Sequence, residues 1–207
     1  MSVIDHLVYA TGDVDSTVEE LARRLGVHAR AGGRHLGYGT RNALISLGSA
    51  SYLEIIGPDE GQRRPAGGYW YGVENIERPR LVTWTARVEH IERVAAHAHG
   101  AGYKPGDVHK VFRERPDGVH RSWRLTFPTG AGDGLVPNLI EWDDGFPHPS
   151  EISPDGVELI SLRGYHPAPE SVTPMLRALA VELEVHVGDA PKLVAALATP
   201  NGPVELS

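Results

Sequence analysis

Cysteine is absent from the 207 residues, which excludes disulfide cross-links, thiolate nucleophiles and cysteine-ligated metals together. The absence fits a reducing compartment. No Lys/Arg-rich run occurs and the formal net charge is -7, so the chain lacks the electrostatic footprint for nucleic acid or an anionic membrane. Long apolar runs are missing too. Asp5 and His6 interrupt the N-terminal strand pattern at once, so neither a signal peptide nor a transmembrane span is expected, and a soluble cytoplasmic protein is the expectation. No Gly-x-Ser-x-Gly elbow sets a serine near a histidine and an acid, which argues against a serine hydrolase. No Gly-x-x-x-x-Gly-Lys-Ser/Thr loop is present to cradle phosphate. What remains is a globular composition, 41% hydrophobic and 23% charged. The length suits one compact domain or two small modules sharing a core.

A pattern then comes round twice. Val3 to Ala10 has strand composition, and Asp13 or Asp15 can cap a helix whose Val18, Leu21, Ala22 and Leu25 share a face up to a stop at Gly26. A short strand after the Gly32-Gly33 pair, a strand at 42–47 and a strand at 51–56 complete the unit. Leu81 to Arg87, a helix over 91–101, strands near 108–112 and 122–127, and a last strand at 138–142 repeat the order, with a turn at Arg115-Pro116-Asp117-Gly118. A glycine-rich loop fills 128–137. The predicted class is α+β: two βαβββ modules, at 1–58 and 80–145, joined by a connector at 59–79. A partial third αβ unit follows at 155–207, with strand-like 157–162, a helix near 172–179, a strand at 183–187, a short helix at 191–197 and a final strand. It is expected to pack on the sheets.

Ionisable residues stand in mid-strand at matching places. His6 aligns with Thr83, and Glu54 with Glu141. A carboxylate in a buried strand is costly unless paired, protonated or bound to a cation. One imidazole and two carboxylates make a mixed N/O donor set suited to Mn, Fe, Co, Ni or Zn, so His6, Glu54 and Glu141 are the candidate metal ligands. The alternative is that each is a satisfied core residue. The segment Gly33 to Asn42 is the second concentration of signal: its small residues permit close backbone approach, and His35, Thr40, Arg41 and Asn42 add hydrogen-bonding groups for a substrate. Thr83 and Trp84 on the fifth strand, and Arg124 as a partner for a substrate carboxylate, complete the candidate contacts. For Arg124 the competing reading is a structural ion pair.

The residues His6-Leu7-Val8-Tyr9, Gly33-Arg34-His35 with Gly39-Thr40-Arg41-Asn42, Tyr52-Leu53-Glu54, Arg115-Pro116-Asp117-Gly118 with Trp123-Arg124, and Leu139-Ile140-Glu141-Trp142 resemble the bacterial glyoxalase-like domain proteins. These lie within the vicinal oxygen chelate superfamily of glyoxalase, bleomycin-resistance and dioxygenase proteins. The resemblance implies a cup-shaped sheet with a divalent metal held at His6, Glu54, Thr83 and Glu141, where Thr83 departs from the usual ligand types and leaves at most three ligands. It implies bidentate chelation of vicinal oxygens, Lewis-acid stabilisation of an enolate or oxyanion, and Glu54 or Glu141 as catalytic base. A lyase, isomerase or dioxygenase acting on a small oxygenated molecule is one expectation. A metal-free protein that binds or sequesters a small molecule is the other. A monomer or a homodimer would suit either.

Overall fold

A computed structural model describes residues 3–128, 132–143 and 145–207. The first module runs β1 (Val3–Ala10), α1 (Val14–Leu25), β2 (Arg30–His35), β3 (Thr40–Ser46) and β4 (Tyr52–Pro58). The second runs β5 (Arg80–Arg87), α2 (Ile91–Gly100), β6 (Val108–Glu114), β7 (His120–Thr126) and β8 (Asn138–Trp142). The two sheets join along β1–β5 and β2–β6 and close into an eight-stranded barrel, ordered β1-β4-β3-β2-β6-β7-β8-β5. The α+β class and the paired modules are as the sequence indicates. The glycine-rich loop at 128–137 falls partly outside the described residues.

Local chemistry fixes the elements. Asp13 caps α1 by accepting the Ser16 N–H at 3.1 Å, and Gly26 ends the helix in the left-handed region at φ 75°. The Arg115–Gly118 turn closes with a Gly118 N–H to Arg115 C=O bond of 2.9 Å. Gly33 sits where the barrel closes. At φ 147°, an added Cβ would lie 2.2 Å from the Glu114 carbonyl oxygen on β6, so only glycine lets β2 and β6 meet.

Strand alternation sorts the side chains onto two faces. Leu7 and Tyr9 of β1, Trp84 and Ala86 of β5 and Leu139 of β8 point outward. They join the apolar faces of α1 and α2 in one large core. The C-terminal unit covers part of that outer core. It comprises α3 (Pro149–Ile152), β9 (Glu158–His166), α4 (Pro169–Ala178), β10 (Glu184–Val187), β11 (Lys192–Thr199) and β12 (Gly202–Leu206), with sheet order β10-β9-β11-β12.

The segment expected as a short helix at 191–197 is strand β11. Leu193, Ala195 and Leu197 alternate into the shared core, and pairing with β9 and β12 overrides the helical preference of its alanines. The strand order differs from that of the two barrel modules, because β9 lies between β10 and β11 whereas β1 lies beside β4 within its module. Among the described residues no helix is long and apolar enough to cross a membrane.

Candidate functional site

The inward faces of the barrel carry an unusual density of ionisable groups. A bulge on β1 sets it up: Ile4 pairs with Ala86 and His6 with Thr85, so Asp5 is an extra residue in the ladder. Bulges re-aim side chains, and here two consecutive residues are both buried, Asp5 at 0% and His6 at 5% exposure. His6 Nδ1 lies 2.7 Å from Asp5 Oδ1. Asp5 Oδ2 takes the Trp142 indole N–H at 2.9 Å and faces His148 Nε2 at 3.0 Å. Burial alone would raise the Asp5 pKa, but hydrogen bonds from His148 and His6 outweigh it and hold the carboxyl well below its usual range. An ionised Asp5 only accepts, so His6 Nδ1 carries a proton and Nε2 faces the barrel interior.

There His6 Nε2 meets Thr85 Oγ1 at 3.0 Å and Glu54 Oε2 at 3.6 Å. The Tyr52 ring stacks on the imidazole at 4.7 Å. Glu54 in turn takes the Asn42 amide N–H on Oε1 at 2.5 Å, and that same oxygen lies 3.6 Å from His35 Nε2. His35 is anchored on its other side by Thr40 Oγ1 at 3.0 Å and flanked by Trp70 and Trp123. Burial lowers the His35 pKa to about 4 against the opposing pull of Glu54, with Arg113 adding to the depression. The ring is therefore uncharged at neutral pH.

Arg113 of β6 lines the same chamber, and Arg121 of β7 stands directly opposite it in the ladder. Trp70 and Tyr71 from the connector's 3₁₀ segment (Trp70–Asn75) lean into the chamber. Asn138 donates to the Tyr71 hydroxyl at 2.9 Å. The space left is about 10 Å³, room for roughly one water.

The expected residues divide by strand parity. Thr40, His35, Asn42 and Glu54 come together through hydrogen bonds, and His6 joins them by its 3.6 Å approach to Glu54. Glu141 does not join them. Its carboxylate lies outside the barrel, accepting the backbone N–H groups of His90 at 3.2 Å and Ile91 at 2.8 Å and a 2.8 Å ion pair from Arg124. It thus caps α2, which has no side-chain cap of its own. Counted from the strand starts at Tyr52 and Asn138, the counterpart of Glu54 is Ile140. A shift of one residue turns a side chain to the other face.

Arg124 shares that outer face and also donates to Glu92 at 2.7 and 2.8 Å, the arrangement of a structural ion pair. Arg41 points outward to a two-pronged pair with Asp15 at 2.9 and 2.8 Å. Trp84 belongs to the outer core, its indole N–H given to Leu135 C=O at 2.8 Å. Thr83 is buried and donates to the Trp84 carbonyl at 3.4 Å. Thr85, two residues on, is the threonine that meets His6.

The sequence reading missed Asp5, Thr85, Arg113, Arg121 and His148. A signal existed for the two arginines. Each alternates with apolar residues, Arg113 with Val111 and Arg121 with Trp123 and Leu125, on strand faces that are otherwise apolar.

The chamber does not fit a divalent-metal site. Among the described residues no group of three or more His, Cys, Asp or Glu side chains is arranged to hold an ion. His35 supplies a second imidazole near Glu54, but the Arg113 guanidinium already brings unpaired positive charge to the same space. A dication would leave uncompensated positive charge in a buried space.

A family model described as a glyoxalase-like domain matches residues 4–180. Among solved structures, a hypothetical protein from Staphylococcus aureus aligns with a TM-score of 0.68 at 14% identity, over 99% of this chain and 84% of that one. Methylmalonyl-CoA epimerase from Mycobacterium tuberculosis aligns with a TM-score of 0.46 at 21% identity, over 68% of this chain and 87% of its own. Methylmalonyl-CoA epimerase from Streptomyces coelicolor, in complex with 2-nitronate-propionyl-CoA, gives 0.45 at 21% identity, over 71% of this chain and 99% of its own. A comparison with curated proteins found no match.

Proposed function

We infer the function from the premise that the chain belongs to the glyoxalase-like domain family of the vicinal oxygen chelate superfamily. We propose that it is an enzyme that moves a proton at a carbon next to a carbonyl in a small oxygenated molecule, for which the chamber must widen beyond its free space of about 10 Å³. The observation that carries this reading is the line Asp5–His6–Glu54. A buried ionised acid orients an imidazole, and the imidazole faces a second buried carboxylate at 3.6 Å. Glu54 takes the proton from the carbon, becoming a neutral acid, while the electron pair moves onto the carbonyl oxygen. His6, in its cationic form, passes its Nε2 proton to that oxygen. Asp5 lies on the other ring nitrogen and orients the imidazole, the role of the acid in a catalytic triad. Return of the Glu54 proton to the adjacent carbon, with the hydroxyl proton there passing back to His6, gives an isomer. His35 hydrogen-bonds without adding charge, and the Trp70 and Trp123 rings keep water out.

Chelation of vicinal oxygens by a divalent metal is what the superfamily resemblance leads one to expect. The donor arrangement supports a route through protein groups instead. Sequestration of a small molecule without turnover is the second reading, favoured by how completely the aromatic walls enclose the chamber. Incubation in D₂O with pyruvate, 2-oxobutyrate and dihydroxyacetone phosphate, followed by NMR, separates these readings. Catalysed loss of C–H signal that persists in EDTA supports proton transfer by the protein. Exchange that EDTA abolishes and added Mn or Zn restores would overturn the metal-free route. No exchange by a protein that binds these compounds would leave sequestration.

A further inference from the structure

The proton-transfer line has no use for two buried arginines, Arg113 in the chamber wall and Arg121 beside it on β7. Arg113 is 2% exposed and Arg121 1%. They face each other across the β6–β7 ladder, and like charges directly opposite in a sheet repel. Among the described residues no carboxylate oxygen approaches either guanidinium within the 4 Å reach of an ion pair. The Arg113 Nε, Arg121 Nε and Arg121 Nη1 atoms are buried without a hydrogen-bond partner. Three orphaned charged donors in one place are costly.

Aromatic faces do hold the two groups in position. The Arg121 guanidinium carbon lies 4.7 Å from the Trp142 ring centre and 5.5 Å from that of Phe146, and the Arg113 carbon lies 6.0 Å from that of Trp123. Such stacking orients the planar forks and leaves their N–H edges for another partner. Burial, then the facing Arg113 charge, lowers the Arg121 pKa to about 10, which leaves Arg121 cationic at neutral pH.

We propose that Arg113 and Arg121 form an anion subsite that takes the carboxylate of the substrate and sets its carbonyl-bearing end against Glu54 and His6. The substrate class is then a small 2-oxo or 2-hydroxy acid. A planar carboxylate matches a guanidinium fork two bonds at a time. Phosphate also binds guanidinium forks in pairs, but its second negative charge would sit beside the Glu54 carboxylate. One monoanion supplies acceptors for the orphaned donors and separates the two positive charges. The assignment of substrate class rests on the proton-transfer reading; binding of the anion does not.

Calorimetric titration and thermal denaturation of the whole protein test the subsite, with acetate, pyruvate and inorganic phosphate as probes and chloride at equal ionic strength as the control. Acetate and pyruvate should bind and raise the melting temperature, and phosphate should bind at least tenfold more weakly. Arg113→Met and Arg121→Met should each weaken pyruvate binding at least tenfold, yet melt no lower than the wild type without anion, because each removes an unpaired buried charge. Arg113→Lys keeps the charge and should retain partial binding, and it serves if a methionine variant fails to fold. The subsite is overturned if wild-type melting responds to pyruvate no more than to chloride, or if methionine variants bind pyruvate like the wild type. Tighter binding of phosphate than of carboxylates would overturn the substrate class. Glu54→Gln separates the two proposals. Lost exchange with pyruvate still bound supports both, and binding without any wild-type exchange sinks proton transfer while leaving the subsite in place.

Discussion

Mild acid should destabilise this protein through His35. The side chain is 1% exposed, and burial among Glu54, Arg113 and His6 sets its pKa at about 4, against 6.5 for a free imidazole. The folded value is the depressed one, so the unfolded chain binds the extra proton. The stabilisation is fully present above pH 6.5 and is lost as pH falls toward 4. A gap of about 2.5 units at roughly 1.36 kcal/mol per unit gives about 3 kcal/mol in all, most of which disappears between pH 7.5 and 4.5. That is a large share of a typical folding free energy of roughly 5–15 kcal/mol. Urea denaturation at pH 7.5, 6.5, 5.5 and 4.5 measures the loss, with His35→Gln as the comparison. The variant should show a profile flatter by about 2–3 kcal/mol over this range. Asp5 also has a depressed pKa, but the stability it contributes is lost only at lower pH, through its own range. Parallel profiles for the two proteins, or an NMR titration of His35 near 6.5, would refute the reasoning.

Other consequences follow from the placement of the acids. Glu141→Gln should cost roughly 0.5–2 kcal/mol in a urea melt, the size of a lost helix cap, and leave C–H exchange at the wild-type rate. Asp5→Asn breaks a buried charge cluster and should cost roughly 3–5 kcal/mol by the same assay. EDTA should change neither the melting temperature nor the exchange rate, and elemental analysis should find well under one Mn, Fe, Co, Ni or Zn per chain. Stoichiometric metal that is lost in His6→Ala would contradict the donor arrangement described above.

The repeat was legible because each module announces itself through caps, glycine stops and strand composition, which are local signals. His6 and Glu54 stand out as polar residues within apolar strands, and His35 and Asn42 through the glycine-rich segment that carries them. Glu141 misled because aligning two modules by their motifs leaves the count uncertain by one residue, and a single residue decides which side of a strand faces inward. Thr83 misled similarly, since the pairing of β1 with β5 slips past Val82 and brings Thr85 to His6. Asp5 was hidden by its bulge, because plain alternation assigns it to the face opposite His6. Arg113 and Arg121 look solvated one at a time. Only their register across β6 and β7 and the closure of the barrel make them a pair. The 191–197 segment depended on partners distant in sequence, which propensity does not see.

The most direct test of the account uses Glu54→Gln and the compound that the wild type exchanges fastest. Affinity by calorimetry and deuterium exchange by NMR are measured on the same samples. Affinity should stay within about threefold of the wild type, and the exchange rate should fall by at least roughly 100-fold, the size of a lost general base. Exchange at the wild-type rate in Glu54→Gln would contradict it.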